Sequence, residues 1–113
     1  MTTFVHRTAD FTGVAAALLR DQAVVSGLLV AAAGAAGLSA EGSPAVRERG
    51  AHGVSAVLLL SADGCHMAAH AFPKQGLLLL DILVPSERAT DKAIDVFTRK
   101  LVGAKLTKRD YKR

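Results

Sequence analysis

Residues 54–84 read VSAVLLL-SADG-CHMAAHAF-PKQG-LLLLDILV, and this stretch decides the fold. It holds three apolar runs, residues 54–60, 65–72 and 77–84, each of strand length and too short for an ordinary helix. Asp63-Gly64 is a two-residue hairpin signal, because both central positions of such a turn require positive φ. Pro73 to Gly76 supplies the second turn. The stretch therefore predicts a three-stranded antiparallel meander. On its N-terminal side, residues 4–11 read as a first strand. Residues 14–38 then carry apolar side chains at helical spacing, with Leu18, Val25, Leu28, Leu29 and Ala32 near one stripe. Asp21 lies near the start of the stronger part of that helix, and Gly37 is a natural stop. A loop follows, and residues 45–49 alternate weakly. On the C-terminal side, Pro85-Ser86-Glu87 opens a helix with Ser86 as N-cap. Ala93, Ile94, Phe97, Leu101 and Val102 form its apolar face, and Gly103 ends it. Residues 104–110 make a last strand. The simplest packing is an α+β two-layer sandwich, an antiparallel sheet with two helices on one face.

Composition bounds what this fold can do. At 113 residues the chain is expected to be a single domain, 1–113, able to bury a core without disulfide or metal staples. With no Trp, four Phe and one Tyr, that core must be Ala, Val and Leu. The single cysteine, Cys65, excludes an intrachain disulfide and fits a reducing, cytoplasmic setting. Residues 23–40 are uncharged but rich in Ala and Gly, too weakly hydrophobic for a membrane span, so no membrane partner is expected. The net charge of +4 is concentrated at Lys105, Lys108, Arg109, Lys112 and Arg113. With only Tyr111 there to stack on a base, this is the pattern of a charged edge strand rather than a nucleic-acid surface.

The groups that could carry chemistry are Ser55, Cys65, His66 and His70. On a strand His66 and His70 share a face and Cys65 points to the other. A hairpin would bring Ser55 on the neighbouring strand close to His70 or Phe72, so that a hydroxyl meets an imidazole. Cys65, His66 and His70 are all zinc-ligand types, but their spacing fits no common zinc signature and no fourth ligand stands nearby, so no metal is expected. A thiol nucleophile activated by imidazole is another reading. The bland readings stay open: Cys65 as a small residue buried by a tight turn, His70 as a hydrogen-bonded core histidine, Ser55 as a strand-end hydroxyl.

Gly53-Val54-Ser55, an apolar strand, Cys65-His66-Met67-Ala68-Ala69-His70-Ala71-Phe72-Pro73, Gly76 and Asp81 together resemble the prokaryotic S-adenosylmethionine decarboxylases, which are pyruvoyl-dependent and made as proenzymes. That family carries Gly-Val-Ser, a strand, Ser-His-x-x-x-His-Thr-Trp-Pro-Glu, and a strand with Asp and Cys. His6-Arg7-Thr8-Ala9-Asp10-Phe11 extends the likeness more faintly. The resemblance implies self-cleavage between Gly64 and Cys65, with Cys65 becoming the pyruvoyl cofactor through a thioester. It implies that Ser55 and His70 assist this step and that His66, Phe72 and Asp81 border the substrate. It also implies a homodimer with packed sheets, S-adenosylmethionine as substrate and a place in spermidine synthesis. Four departures bear on these expectations. Cys65 stands for serine, and Asp63-Gly64 replaces a Glu in a turn two residues longer. Lys74 and Phe72 replace Glu and Trp. Pro85 falls where the family has its proton-donating cysteine. Two alternatives follow: an uncleaved, catalytically degenerate homologue acting as a dimeric binding or regulatory module, or a pyruvoyl-dependent decarboxylase of another amino acid.

Overall fold

The three apolar runs pair as the turns between them dictate. In the computed structural model, which describes residues 4–62 and 64–112, they are β3 (Val54–Leu59), β4 (His66–Phe72) and β5 (Leu77–Val84). The other strands are β1 (Val5–Thr12), β2 (Ala45–Glu48) and β6 (Lys105–Lys112), and the helices are α1 (Ala16–Arg20), α2 (Gln22–Ala35) and α3 (Glu87–Lys100). The sheet order is β2-β3-β4-β5-β1-β6 and every pairing is antiparallel. The meander is thus the middle of the sheet, and β1 returns between β5 and β6. The expected α+β architecture holds, with the short α1 as an added turn of helix before α2.

Burial alternates along β5: Leu78, Leu80, Ile82 and Val84 are buried, whereas Leu77, Leu79, Asp81 and Leu83 are half-buried on the other side. The first set packs under α2 and α3 with Phe11, Leu58, Met67, Leu29 and Phe97. Each such side chain contributes on the order of 2 kcal/mol. The second face carries no helix, yet it presents Leu59, Leu77, Leu79 and Leu83. A strand apolar on both sides is the mark of a sheet with two covered faces.

Where the elements differ from expectation, local chemistry explains it. The helix expected over residues 14–38 is broken at Asp21, whose backbone is extended and whose carboxylate accepts from the Ala23 and Val24 N–H groups. An aspartate satisfies orphan amides better as an N-cap than it serves inside a helix. Ser86 caps α3 as expected, its Oγ accepting from the Ala89 N–H. Val102 does not join the apolar face and is 87% exposed. The chain has already left the helix at Leu101, and Gly103 turns it left-handed at φ +83°.

The hairpin between β3 and β4 is also wider than expected. Leu59 pairs with His66, and the Leu60 N–H donates to the Cys65 carbonyl at 3.1 Å, which leaves residues 61–64 as the connection. Asp63, half of the expected two-residue turn, lies outside the described residues. Gly64 is left-handed at φ +77°. Residues 39–41 lie along the end of β3: Ala40 bridges Leu60 and the Glu41 N–H donates to the Leu59 carbonyl at 2.8 Å.

β6 is an edge strand and exposes Lys105, Lys108 and Arg109, the arrangement that blunts edge-to-edge pairing. A buried charge ties it down. Arg7 lies on the helix side of β1, its guanidinium held by Asp110 of β6 and Asp91 of α3. The hydrogen bond that Arg7 donates to Asp110 holds it above the usual arginine range, against the opposing pull of burial, and Asp91 adds to it. Among the described residues no helix is long and apolar enough to cross a membrane.

Candidate functional site

Register decides which groups meet. Ser55 pairs with His70 across β3 and β4, and both side chains lie on the open face of the sheet. The Ser55 Oγ and His70 Nδ1 are 2.8 Å apart. Arg49 approaches from the other side, its Nη1 donating to the same Oγ. Arginine has only donors, so Oγ accepts from it and the hydroxyl's own proton is available to Nδ1. A neutral His70 wired in this way carries its proton on Nε2.

Arg49 reaches Ser55 because the chain folds back sharply before β3. A short 3-10 turn at Gly50–His52 ends at Gly53, with φ +117°. The Arg49 N–H donates to the Gly53 carbonyl at 2.8 Å and closes the bend. A second 3-10 turn, Pro73–Gln75, follows β4 and packs against the first. The two turns form the walls of a cleft of about 180 Å³, lined by Arg49, Ala51, His52, Phe72, Lys74 and Gln75. The Arg49 guanidinium lies 5.8 Å from the centre of the Phe72 ring, within cation–π range.

Gly64 and Cys65 stand at the other end of β4. Five residues of strand separate Cys65 from His70, about 16 Å. Cys65 is buried on the helix side, in the core cluster, and its N–H donates to the Ala62 carbonyl at 3.0 Å. A cleft of about 260 Å³ opens over this link, lined by Glu41, Leu59, Leu60, Ala62, Gly64, Cys65 and His66. His66 lies on the open face between Leu59 and Leu83. Among the described residues no three His, Cys, Asp or Glu side chains gather as a metal site. Alternation explains why Cys65, His66 and His70 do not: the thiol is on one face and the imidazoles, about 13 Å apart along the strand, are on the other.

The residues expected to border a substrate do not share one cleft. Phe72 lines the cleft beside Arg49, His66 the one over Gly64–Cys65. Asp81 is bound to the His6 Nε2 across β1 and β5. Arg49, His52 and Glu41 were not among the expected site residues. The only sequence signal for the first two is Gly50 and Gly53 flanking a bend. Glu41 carries none, since it arrives through an isolated bridge.

The chain resembles known proteins at this point. The family model described as S-adenosylmethionine decarboxylase matches residues 5–113. The crystal structure of the adenosylmethionine decarboxylase from Aquifex aeolicus VF5 superimposes with a TM-score of 0.86 at 25% identity, covering 97% of this chain and 89% of that one. No curated protein matches the sequence significantly.

Proposed function

Because the chain belongs to the S-adenosylmethionine decarboxylase family, we propose that it cuts its own backbone between Gly64 and Cys65 and decarboxylates S-adenosylmethionine, or an amine-bearing acid of similar build, with the pyruvoyl group left on residue 65. The observation that carries this proposal is the Ser55–His70 pair, a hydroxyl and an imidazole in contact at 2.8 Å on the face away from the core. Such a pair can move a proton to or from a backbone amide or a Cα.

The groups at the other end suit the cleavage. The Cys65 sulfur follows the Gly64 carbonyl directly in the chain, and the left-handed Gly64 permits a backbone that a side chain would resist. Attack by sulfur on the Gly64 carbonyl carbon, with the proton going to the departing Cys65 nitrogen, converts the peptide bond to a thioester. Removal of the Cys65 Cα proton then expels the Gly64 thiocarboxylate, and hydrolysis of the remaining dehydroalanine releases ammonia. The cleft over the link leaves room for the new group between Glu41 and His66. Once formed, the pyruvoyl group supplies a carbonyl that accepts the substrate amine and takes up the electron pair as carbon dioxide leaves.

Ser55 and His70 cannot act on Cys65 of their own protomer across about 16 Å of strand. A second copy solves this. Two open faces packed about a two-fold axis near the middle of β4 would set the Gly64–Cys65 end of one protomer over the Ser55–His70 end of its partner. The half-exposed leucines of that face suit such burial. The proposed enzyme is therefore a cytoplasmic homodimer in the route to spermidine.

Two observations favour a second reading, an uncleaved homologue that binds rather than reacts: Cys65 is buried, and Pro85 offers no proton where the family has a donor. Intact-mass spectrometry of the purified full-length chain separates the two. Two fragments divided between Gly64 and Cys65, the second bearing a pyruvoyl mass, are the expected result. A single unbroken mass that persists on long incubation, and in the Cys65→Ser variant, overturns the decarboxylase.

A further inference from the structure

The cleft beside Ser55 is basic. Arg49, His52 and Lys74 line it, with no acidic side chain among the residues that do so. Among the described residues neither Lys74 nor His52 has a carboxylate partner. What sets these residues apart is that they line one concave site, whereas Lys105, Lys108 and Arg109 lie on the exposed edge strand. Cationic and N–H donor groups drawn into one concave site raise its positive potential, and no acidic side chain lines it to offset this. The residues also differ in kind. Arg49 is a rigid fork anchored by Ser55 and by the Phe72 ring, Lys74 a mobile point charge, and His52 a neutral or cationic donor. A fork beside a mobile ammonium is the donor set that carboxylates and phosphates select.

We propose that Arg49, His52 and Lys74 form an anion subsite that holds a carboxylate or phosphate group of the ligand, with Phe72 as its apolar wall. The site's position gives it a consequence. Arg49 donates through Nη1 to the Ser55 hydroxyl that pairs with His70, so an anion held by its remaining N–H groups shares one guanidinium with Ser55. Occupancy is therefore coupled to the Ser55–His70 pair through Arg49. As a statement about the substrate, the inference rests on the decarboxylase proposal and selects, within it, the other amine-bearing acid over S-adenosylmethionine: a substrate with an acidic group beyond the carboxylate it loses. A sulfonium or ammonium cation would be repelled at this cleft. As a statement about binding, it stands whether or not the chain is ever cleaved.

The test is amide-resolved NMR of the full-length 11.8 kDa chain, titrated separately with inorganic phosphate and with succinate at fixed ionic strength. Saturable shifts confined to residues 49–53 and 72–76 are expected with at least one of the two probes. The probe that produces them identifies the source, phosphate or carboxylate. Lys74→Glu should weaken binding at least tenfold. Arg49→Met should do the same and also shift the His70 ring signals without any ligand. Lys108→Glu, which makes the same change of net charge on β6 away from the cleft, should leave binding unchanged. Shifts scattered over the basic surface, equal losses in Lys74→Glu and Lys108→Glu, or no saturable shift with either probe would each overturn the subsite. An uncleaved chain that binds loses the decarboxylase and keeps the subsite. A cleaved chain indifferent to Lys74→Glu loses only the subsite.

Discussion

Gly53→Ala isolates the bend on which the Arg49–Ser55–His70 arrangement depends. Gly53 has φ +117° and ψ −162°, a combination that costs a side-chain-bearing residue on the order of 1–3 kcal/mol. A methyl group there would sit 1.8 Å from the Ala71 carbonyl oxygen and 2.9 Å from both its carbonyl carbon and the Pro73 Cδ. A comfortable C···O approach is about 3.3 Å, so the two backbones must part by about 1.5 Å. Alanine has no rotamer to absorb that. Ala71 pairs with Val54 on one side and Leu78 on the other, in the middle of the sheet, so the shift breaks ladder hydrogen bonds worth about 1 kcal/mol each. With strain near the middle of its range and one or two such bonds lost, the total is about 3–4 kcal/mol. For a chain of this size that is a fall in melting temperature of about 12–16 °C, read by circular dichroism at one fixed protein concentration. Gly64→Ala is the control. Gly64 also has positive φ, but a methyl there meets nothing within 4 Å, so only backbone strain of about 1–2 kcal/mol remains. A Gly53→Ala loss no larger than that of Gly64→Ala would refute the steric argument.

Other predictions follow from single contacts. Leu101→Ala should cost about 3 kcal/mol in urea unfolding because Leu101 is buried under the end of α3, whereas Val102→Ala should change stability by less than about 0.5 kcal/mol; equal losses would place the helix end wrongly. Asp110→Asn should cost about 1–2 kcal/mol, because it leaves the buried Arg7 guanidinium with Asp91 as its remaining carboxylate; an unchanged urea midpoint would mean that the pair is solvent-screened. Leu83→Asp, on the open face between His66 and His6, should leave the far-UV spectrum intact and convert the proposed dimer to monomer in sedimentation. A dimer that survives the charge would place the interface elsewhere.

The meander was legible because its three runs are continuous and punctuated by strong turn residues. The Ser86 cap was legible because it sits directly before the apolar period of α3. The Ser55–His70 contact was legible only within a margin. A two-residue turn at Asp63-Gly64 would pair Ser55 with Phe72, and the observed connection at residues 61–64 pairs it with His70. A difference of two residues in register keeps the face and changes the partner. Arg49, His52 and Glu41 were hidden for a different reason. Each is brought in by backbone that lies outside the regular strands, through the bend at Gly53 or the bridge at Ala40. Periodicity carries no information there. Asp21 shows the converse: its helical surroundings were plain, and its capping chemistry still broke the helix.

The departures from the family pattern are not scattered over the chain. Ser55 and His70, matched to the pair that assists self-processing, are present and in contact. The changed positions are Cys65, where the resemblance implies a serine, the longer turn at Asp63-Gly64 beside it, Pro85, where it implies a cysteine, and Phe72 and Lys74 at the mouth of the basic cleft. A chain drifting without function has no reason to keep a hydroxyl–imidazole–guanidinium relay on a half-exposed face, where its loss would cost the fold little. Nor would drift be expected to gather basic side chains around a cleft with no carboxylate in its lining. The changes group instead around what is bound and how the reaction ends. On the proposed decarboxylase reading, that grouping argues for an altered ligand more than for a lost one, and it makes the charge at position 74 the first property to change by experiment.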